Sequence, residues 1–466
     1  MRKIIIFVLC LFVFLAIPSS ILAKNNPTAN PNNKFGIHVM DERDFIDATT
    51  LINSSGGDWG YVTFVITEQD RNRDRWQKVF DEARKSHLIP IVRIASKANG
   101  ANWEIPKNEE IDGWIAFLNS LNWVIQNRYV IIGNEPNHAK EWGGSIDPAT
   151  YATYLNSFSK KLHETSDDFY VLPAGLDASA RNTAETMDEI TFIRRMLIAQ
   201  PNVFENIDGW TSHSYPNPDF SGKETDKGRG TIQTFDWELN FLSTLGVTKN
   251  LPVFITETGW SNEKIEPNKI SEMYMYAFEN VWNDPRVVAV TPFILNYTES
   301  PFSQFTWKKK DGSFFPYFES YKNITKIKGV PIQIESGQII GALAQPIMFE
   351  NSDFVGAILA KNTGQSIWNT DNLKIVSDDG SIVFKNSLLF DIEPVRTGLI
   401  IFKASPLKNK GILLKSIYLA NENNKRITNS FPIEAFIAKA NKMQFQTFFV
   451  KIGSSLREII GPMAQR

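Results

Sequence analysis

Between Lys34 and about Lys326, short β-branched or aromatic runs alternate eight times with segments of helical period, and no other feature of the chain constrains its fold as strongly. The runs are FGIHVM (35–40), YVTFVI (61–66), IPIVRIA (89–95), YVIIG (129–133), FYVLPAG (169–175), IDGWTSH (207–213), LPVFIT (251–256) and VVAVTPFIL (287–295). Between them, Trp76, Val79, Phe80 and Ala83 fall on one helical face, as do Ile111, Trp114, Ile115 and Leu118. Tyr151, Tyr154, Leu155, Phe158 and Leu162 do the same behind Asp147-Pro148, a capping residue followed by proline at the first helical position. Eight strands alternating with helices predict a (β/α)8 barrel. The alternative, a doubly wound open sheet, usually carries a glycine-rich turn after its first strand, and FGIHVMDERD has none.

After about Val330 helical periodicity fades. Runs FVGAILA (354–360), NLKIVS (372–377), SIVFKN (381–386), TGLIIFKA (397–404), GILLKSIYLA (411–420) and FPIEAFIA (431–438) follow at the close spacing of a β-sandwich. The expected second domain therefore spans 335–438, with a short basic tail over 439–466.

The chain opens with Arg2 and Lys3, an apolar run from Ile4 to Ile17 and then small residues to Ala23, the layout of a secretory signal peptide over 1–23. That run is short for a bilayer span, so retention as an anchor is the lesser alternative and no insertion is expected after cleavage. The single cysteine, Cys10, lies inside this leader, so the mature chain has neither disulfide nor thiolate ligand and must rely on its apolar core. At 42% hydrophobic residues it has the material for one. A net charge of −2 without long runs of one sign points away from nucleic acid and anionic membranes as partners.

A barrel of this kind carries its reactive groups where strands end. The fourth run ends in Asn134-Glu135-Pro136-Asn137-His138, the seventh in Thr256-Glu257-Thr258-Gly259-Trp260, and the sixth in Ser212-His213-Ser214-Tyr215-Pro216. Arg93 lies on the third and His38 on the first; three of the chain's five histidines (His38, His138, His213) thus sit at strand ends. Glutamates from the fourth and seventh strands face each other across the barrel mouth. Cleavage of a glycosidic bond needs such a pair, one protonating the leaving oxygen and one attacking the anomeric carbon, with about 5–5.5 Å between them when configuration is retained. Arg93 and Tyr215 are placed to favour an ionised Glu257, and Asn134 to hydrogen-bond a sugar hydroxyl. Trp142, Trp260, Phe293 and Trp307 are candidate faces for sugar stacking, and His213 and His38 further contacts.

Asn134-Glu135-Pro136 after strand four, Glu257 in ITETGW after strand seven, His213-Ser214-Tyr215 after strand six and FTWKKKDGSFFPYFESY (305–321) together resemble clan A of the glycoside hydrolases over roughly 34–326. The resemblance implies a retaining double displacement with Glu135 as acid/base, Asn134 beside it and Glu257 as nucleophile. It further implies an arginine and a tyrosine near the nucleophile, here Arg93 and Tyr215. It implies no cofactor, no metal ligands and a carbohydrate as partner. The clan's aromatic on strand eight has no tryptophan counterpart, since FILNY (293–297) ends in Asn and Tyr; Trp307 is the later candidate. In the second domain, Lys361 to Trp368 is similar to an N-x-G-x-x-x-W segment of immunoglobulin-like accessory domains.

Two other functions fit parts of this pattern. One is a carbohydrate-binding or cell-surface protein on an inactive barrel, against which both glutamates argue. The other is a metal-dependent barrel hydrolase, which wants clustered histidine ligands where strand one offers only His38.

Overall fold

The computed structural model describes residues 25–439 apart from 406, 408 and 409. The expected leader and all of the tail but Lys439 lie outside these residues. Eight parallel strands form the first unit: β1 (Gly36–His38), β2 (Gly60–Thr67), β3 (Leu88–Ala95), β4 (Arg128–Ile132), β5 (Phe169–Pro173), β6 (Trp210–His213), β7 (Val253–Glu257) and β8 (Val287–Val290). Strands β1 to β5 pair in chain order, and β6 to β8 do likewise. Parallel bridges Phe35–Val290 and Asp177–His213 join the two sheets, closing the barrel. Every strand overlaps a run expected from the sequence.

Eight helices surround it: α1 (Phe45–Ile52), α2 (Arg73–Lys85), α3 (Ile111–Ser120), α4 (Pro148–Thr165), α5 (Glu189–Ala199), α6 (Thr234–Thr244), α7 (Pro267–Asn280) and α8 (Pro316–Asn323). The Asp147 carboxylate accepts hydrogen bonds from the backbone N–H groups of Ala149 and Thr150, while Pro148, which has no N–H to leave unpaired, opens α4. The apolar stripes read from the sequence on α2, α3 and α4 are buried.

The two ends of the barrel differ chemically. At the start of the strands, Tyr61 (β2), Tyr129 (β4), Tyr170 (β5) and Phe254 (β7) meet across the interior, with centroids of Tyr129 and Phe254 5.0 Å apart and of Tyr129 and Tyr170 5.3 Å apart. This aromatic layer plugs the barrel and leaves its opposite, C-terminal end for polar groups.

The second unit packs two four-stranded sheets around its own apolar core. Its strands are β9 (Gly337–Ala344), β10 (Ile347–Phe349), β11 (Phe354–Asn362), β12 (Leu373–Ser377), β13 (Phe384–Leu388), β14 (Thr397–Ala404), β15 (Gly411–Asn421) and β16 (Phe431–Ala438). The sheet orders are β9-β11-β14-β13 and β10-β16-β15-β12. Strands β9 and β10 are additional to the runs read from the sequence: the alternation in GQIIGALA is broken by Gly341 and Ala342, and β10 is only three residues long. Trp368 is buried in this core, its ring lying against Gly337. Gly364 O accepts from Asn122 Nδ2 at 3.0 Å and Gln365 Nε2 donates to Ile125 O at 2.9 Å, so the segment from Asn362 to Trp368 also joins sandwich to barrel. Among the described residues, no helix is long and apolar enough to cross a membrane.

Phe254 is fully buried and packs against the rings of Tyr129 and Tyr170 in the barrel interior. Phe254→Ala is expected to cost about 3–5 kcal/mol of stability, measured as a lowered urea midpoint with an unchanged m-value.

Candidate active site

At the C-terminal ends of the strands, three elements converge on one point. Strand β4 stops at Ile132, and the chain turns through Gly133 (φ +89°) and Asn134 into Glu135 (φ +32°). A positive φ is costly for a residue with a Cβ. Here it is held by two hydrogen bonds, Glu135 N to Gly175 O at 3.0 Å and His138 N to Glu135 O at 2.8 Å. Glu257 is the last residue of β7, and His213 the last of β6.

His213 bridges the two glutamates: its Nδ1 lies 2.9 Å from Glu135 Oε1 and 3.8 Å from Glu257 Oε2. A carboxylate oxygen of Glu135 and one of Glu257 are within 4.8 Å of each other. Arg93, from β3, reaches across the mouth and donates from Nη1 to Glu257 Oε1 at 2.6 Å and to Asn134 Oδ1 at 2.7 Å. The Tyr215 hydroxyl donates to Glu257 Oε2 at 3.1 Å. The imidazole of His213 lies against Gly175, where a methyl group would come within 2.2 Å of the ring. Only glycine leaves room for it.

These contacts set the charge states. Burial, the largest influence on Glu257, pushes its carboxyl up. The positive charges of His213 and Arg93 outweigh that and hold it down at about 2. For His213 burial pushes the imidazole down, but the charges of Glu257 and Glu135 leave it raised overall. Burial and then the two glutamates keep the Tyr215 phenol well above its ordinary value, so it remains a donor. His38 is driven down to about 3, by burial first and Arg93 second, and is neutral.

A cavity of about 410 Å³ opens above this floor, lined by Arg93, Asn134, Glu135, Glu257 and Phe293 among others. Its walls include residues that sequence reasoning did not single out: Trp103, Glu141, Tyr297 and Phe302. Trp103 belongs to a two-stranded ribbon after β3, and Glu141 to a 3-10 turn (Ala139–Glu141) after β4. A charged residue six places beyond Glu135 was the one signal available for Glu141.

Other expected site residues lie elsewhere. Trp260 and Trp307, expected as stacking faces, are 2% and 0% exposed. Trp260 packs edge-on against Tyr274 and donates to Gly222 O, while Trp307 is enclosed by Tyr274, Tyr317 and Tyr321. Neither ring has a face open to the cavity, because the chain turns both back onto α7 and α8. His38 is fully buried beside the ring of Phe293, and neither of its nitrogens has a hydrogen-bond partner. His138 turns away to pair with Asp177 at 2.9 Å.

Glu135, His213 and Glu257 also form a group whose donor atoms are close enough to reach one cation. The Arg93 guanidinium, 2.6 Å from Glu257, already supplies positive charge there and would repel a metal ion.

No family model and no curated protein matches the chain. Among the solved structures it is similar to are glycoside hydrolases. One is an endo-β-1,4-glucanase from Xanthomonas axonopodis pv. citri bearing three mutations, at 16% identity over 62% of this chain and 99% of that one, with a TM-score of 0.44. A family 39 glycoside hydrolase from Bacteroides cellulosilyticus WH2 is 14% identical over 82% of both chains (TM-score 0.45). A family 51 α-L-arabinofuranosidase from Bifidobacterium longum is 12% identical over 82% of this chain and 95% of that one (TM-score 0.43).

The depressed Glu257 carboxyl gives a pH signature. A group whose folded pKa is lowered contributes stability above its unfolded value, about 4.3, and loses it as pH falls toward its folded value of about 2. Between those values the melting temperature of the wild type should fall with acid more steeply than that of Glu257→Gln, as read by differential scanning calorimetry.

Proposed function

We propose that the protein is a retaining glycoside hydrolase acting on a β-linked oligo- or polysaccharide, with Glu257 as nucleophile and Glu135 as acid/base. The observation that carries this reading is the pair of strand-end carboxylates with oxygens within 4.8 Å of each other at the floor of an open cleft. That proximity is nearer to the separation of about 5–5.5 Å at which one carboxylate attacks directly than to the roughly 6.5–9.5 Å at which an inverting enzyme places a water.

The chemistry follows from the surroundings of each group. Glu257, kept ionised by Arg93 and His213, attacks the anomeric carbon. As that bond forms, the bond to the leaving oxygen breaks and Glu135 delivers its proton to that oxygen. The product is a sugar ester of Glu257. Glu135, now a carboxylate, takes a proton from water, whose oxygen attacks the same carbon and releases Glu257. Tyr215 and Arg93 position the nucleophile, and Asn134 presents its amide to a ring hydroxyl. His213 holds the Glu135 carboxyl on the side facing Glu257. No step calls for a metal or organic cofactor.

In the same reading, residues 1–23 direct export and the protein acts outside the cytoplasm. The sandwich (335–438) is an immunoglobulin-like accessory domain that braces the barrel through the hydrogen bonds around Gly364 and Gln365.

The test is a polysaccharide screen that follows reducing-end release by wild type, Glu257→Gln and Glu135→Ala, with folding checked by circular dichroism. Wild type should release sugar and Glu257→Gln should lose about a thousandfold or more in rate. Proton NMR of the first product should show the substrate's anomeric configuration. An inverted product would reject the retaining mechanism. Glycan binding without turnover by wild type would favour a binding protein, and loss of turnover on chelation a metal enzyme.

A further inference from the structure

Asn134 stands between two groups of opposite character. Its Oδ1 accepts from Arg93 Nη1 at 2.7 Å, and its Nδ2 donates to Glu141 Oε2 at 3.3 Å. Guanidinium has donors only and carboxylate acceptors only, so a single orientation of the amide satisfies both. Turned over, it would set NH₂ against guanidinium and carbonyl against carboxylate. The contacts therefore form one file across the cleft floor: Glu257, Arg93, Asn134, Glu141.

Glu141 has little else to do. Its side chain is 11% exposed and lines the cleft; the cation it pairs with, Lys140, is 3.8 Å away and itself 54% exposed, and Arg93 acts on it only from beyond ion-pair distance. An ion pair that open contributes little. Burial first, and then the charge of Glu135, push the Glu141 carboxyl up, so it is held in a place that disfavours its ionised form. An acid retained there without a strong ion-pair partner needs another reason.

We propose that Glu141 is a positioning residue that locks the Asn134 amide, so that a ring hydroxyl in the cleft always meets the same N–H and carbonyl edge. The assignment rests on the glycosidase reading. Arg93 alone restrains one end of the amide, and Glu141 restrains the other. Because the aligned amide matters most when the ring distorts, loss of Glu141 falls on kcat more than on KM.

The experiment is a double-mutant cycle with dinitrophenyl glycosides of the sugar released in the polysaccharide screen, using Asn134→Ala, Glu141→Ala and both together, with Glu141→Gln and Lys140→Ala beside them. Thermal melts confirm folding. Glu141→Ala should lower kcat about ten- to thirtyfold in the wild type, yet less than about twofold once Asn134 is already alanine. Glu141→Gln keeps an acceptor oxygen for Nδ2 and should restore most of the loss, and Lys140→Ala should change little. Independent, additive losses would overturn the assignment, as would a Gln variant as poor as Ala or a loss confined to KM. A wild type that turns over no glycoside overturns the glycosidase reading and this assignment with it. An active wild type with additive losses overturns this assignment alone.

Discussion

The ion pair between Arg93 and Glu257 is the contact on which the site depends. It joins β3 to β7, strands that share no hydrogen bonds, across the mouth of the barrel at 2.6 Å. Both side chains are largely withdrawn from water, at 15% and 10% exposed. Removing either partner would be costly, since it would leave the other charge buried without its ion pair. Arg93 Nη1 also reaches Asn134 and Glu257 is met by Tyr215 and His213, so one pair organises residues from β3, β4, β6 and β7.

The barrel divides its labour along its axis. The aromatic layer at the strand starts supplies apolar burial and stiffness, and the strand ends then carry charge on a base that does not yield. The strained backbone at Glu135 is tolerable for the same reason. The cost of a positive φ is offset by hydrogen bonds to Gly175 and His138, and the strain aims the side chain at His213.

Much of this was legible in the chain. A residue at the end of a strand run must emerge at one face of a barrel, so Glu135, Glu257, His213 and Arg93 could be placed together without a single coordinate. Tyr215, two residues beyond β6, followed the same logic. The tryptophans did not. Trp260 sits directly after Glu257 and Trp307 in a loop beyond β8, and adjacency in sequence does not say which way a ring turns once the chain has left the strand. Both turned inward, where Tyr274 offers apolar contact. Glu141 and Trp103 went unread for the complementary reason: they lie on connections whose course depends on what they pack against.

The sequence by itself determined the barrel, the sandwich and the strand-end residues, because periodicity and strand polarity are local properties that survive any arrangement of loops. Tertiary structure alone decided the distances between Glu135, His213 and Glu257, the charge states of His213 and Glu257, and the file from Glu257 to Glu141. Those arise from desolvation and from contacts between residues as much as 164 positions apart. No local pattern encodes such energies.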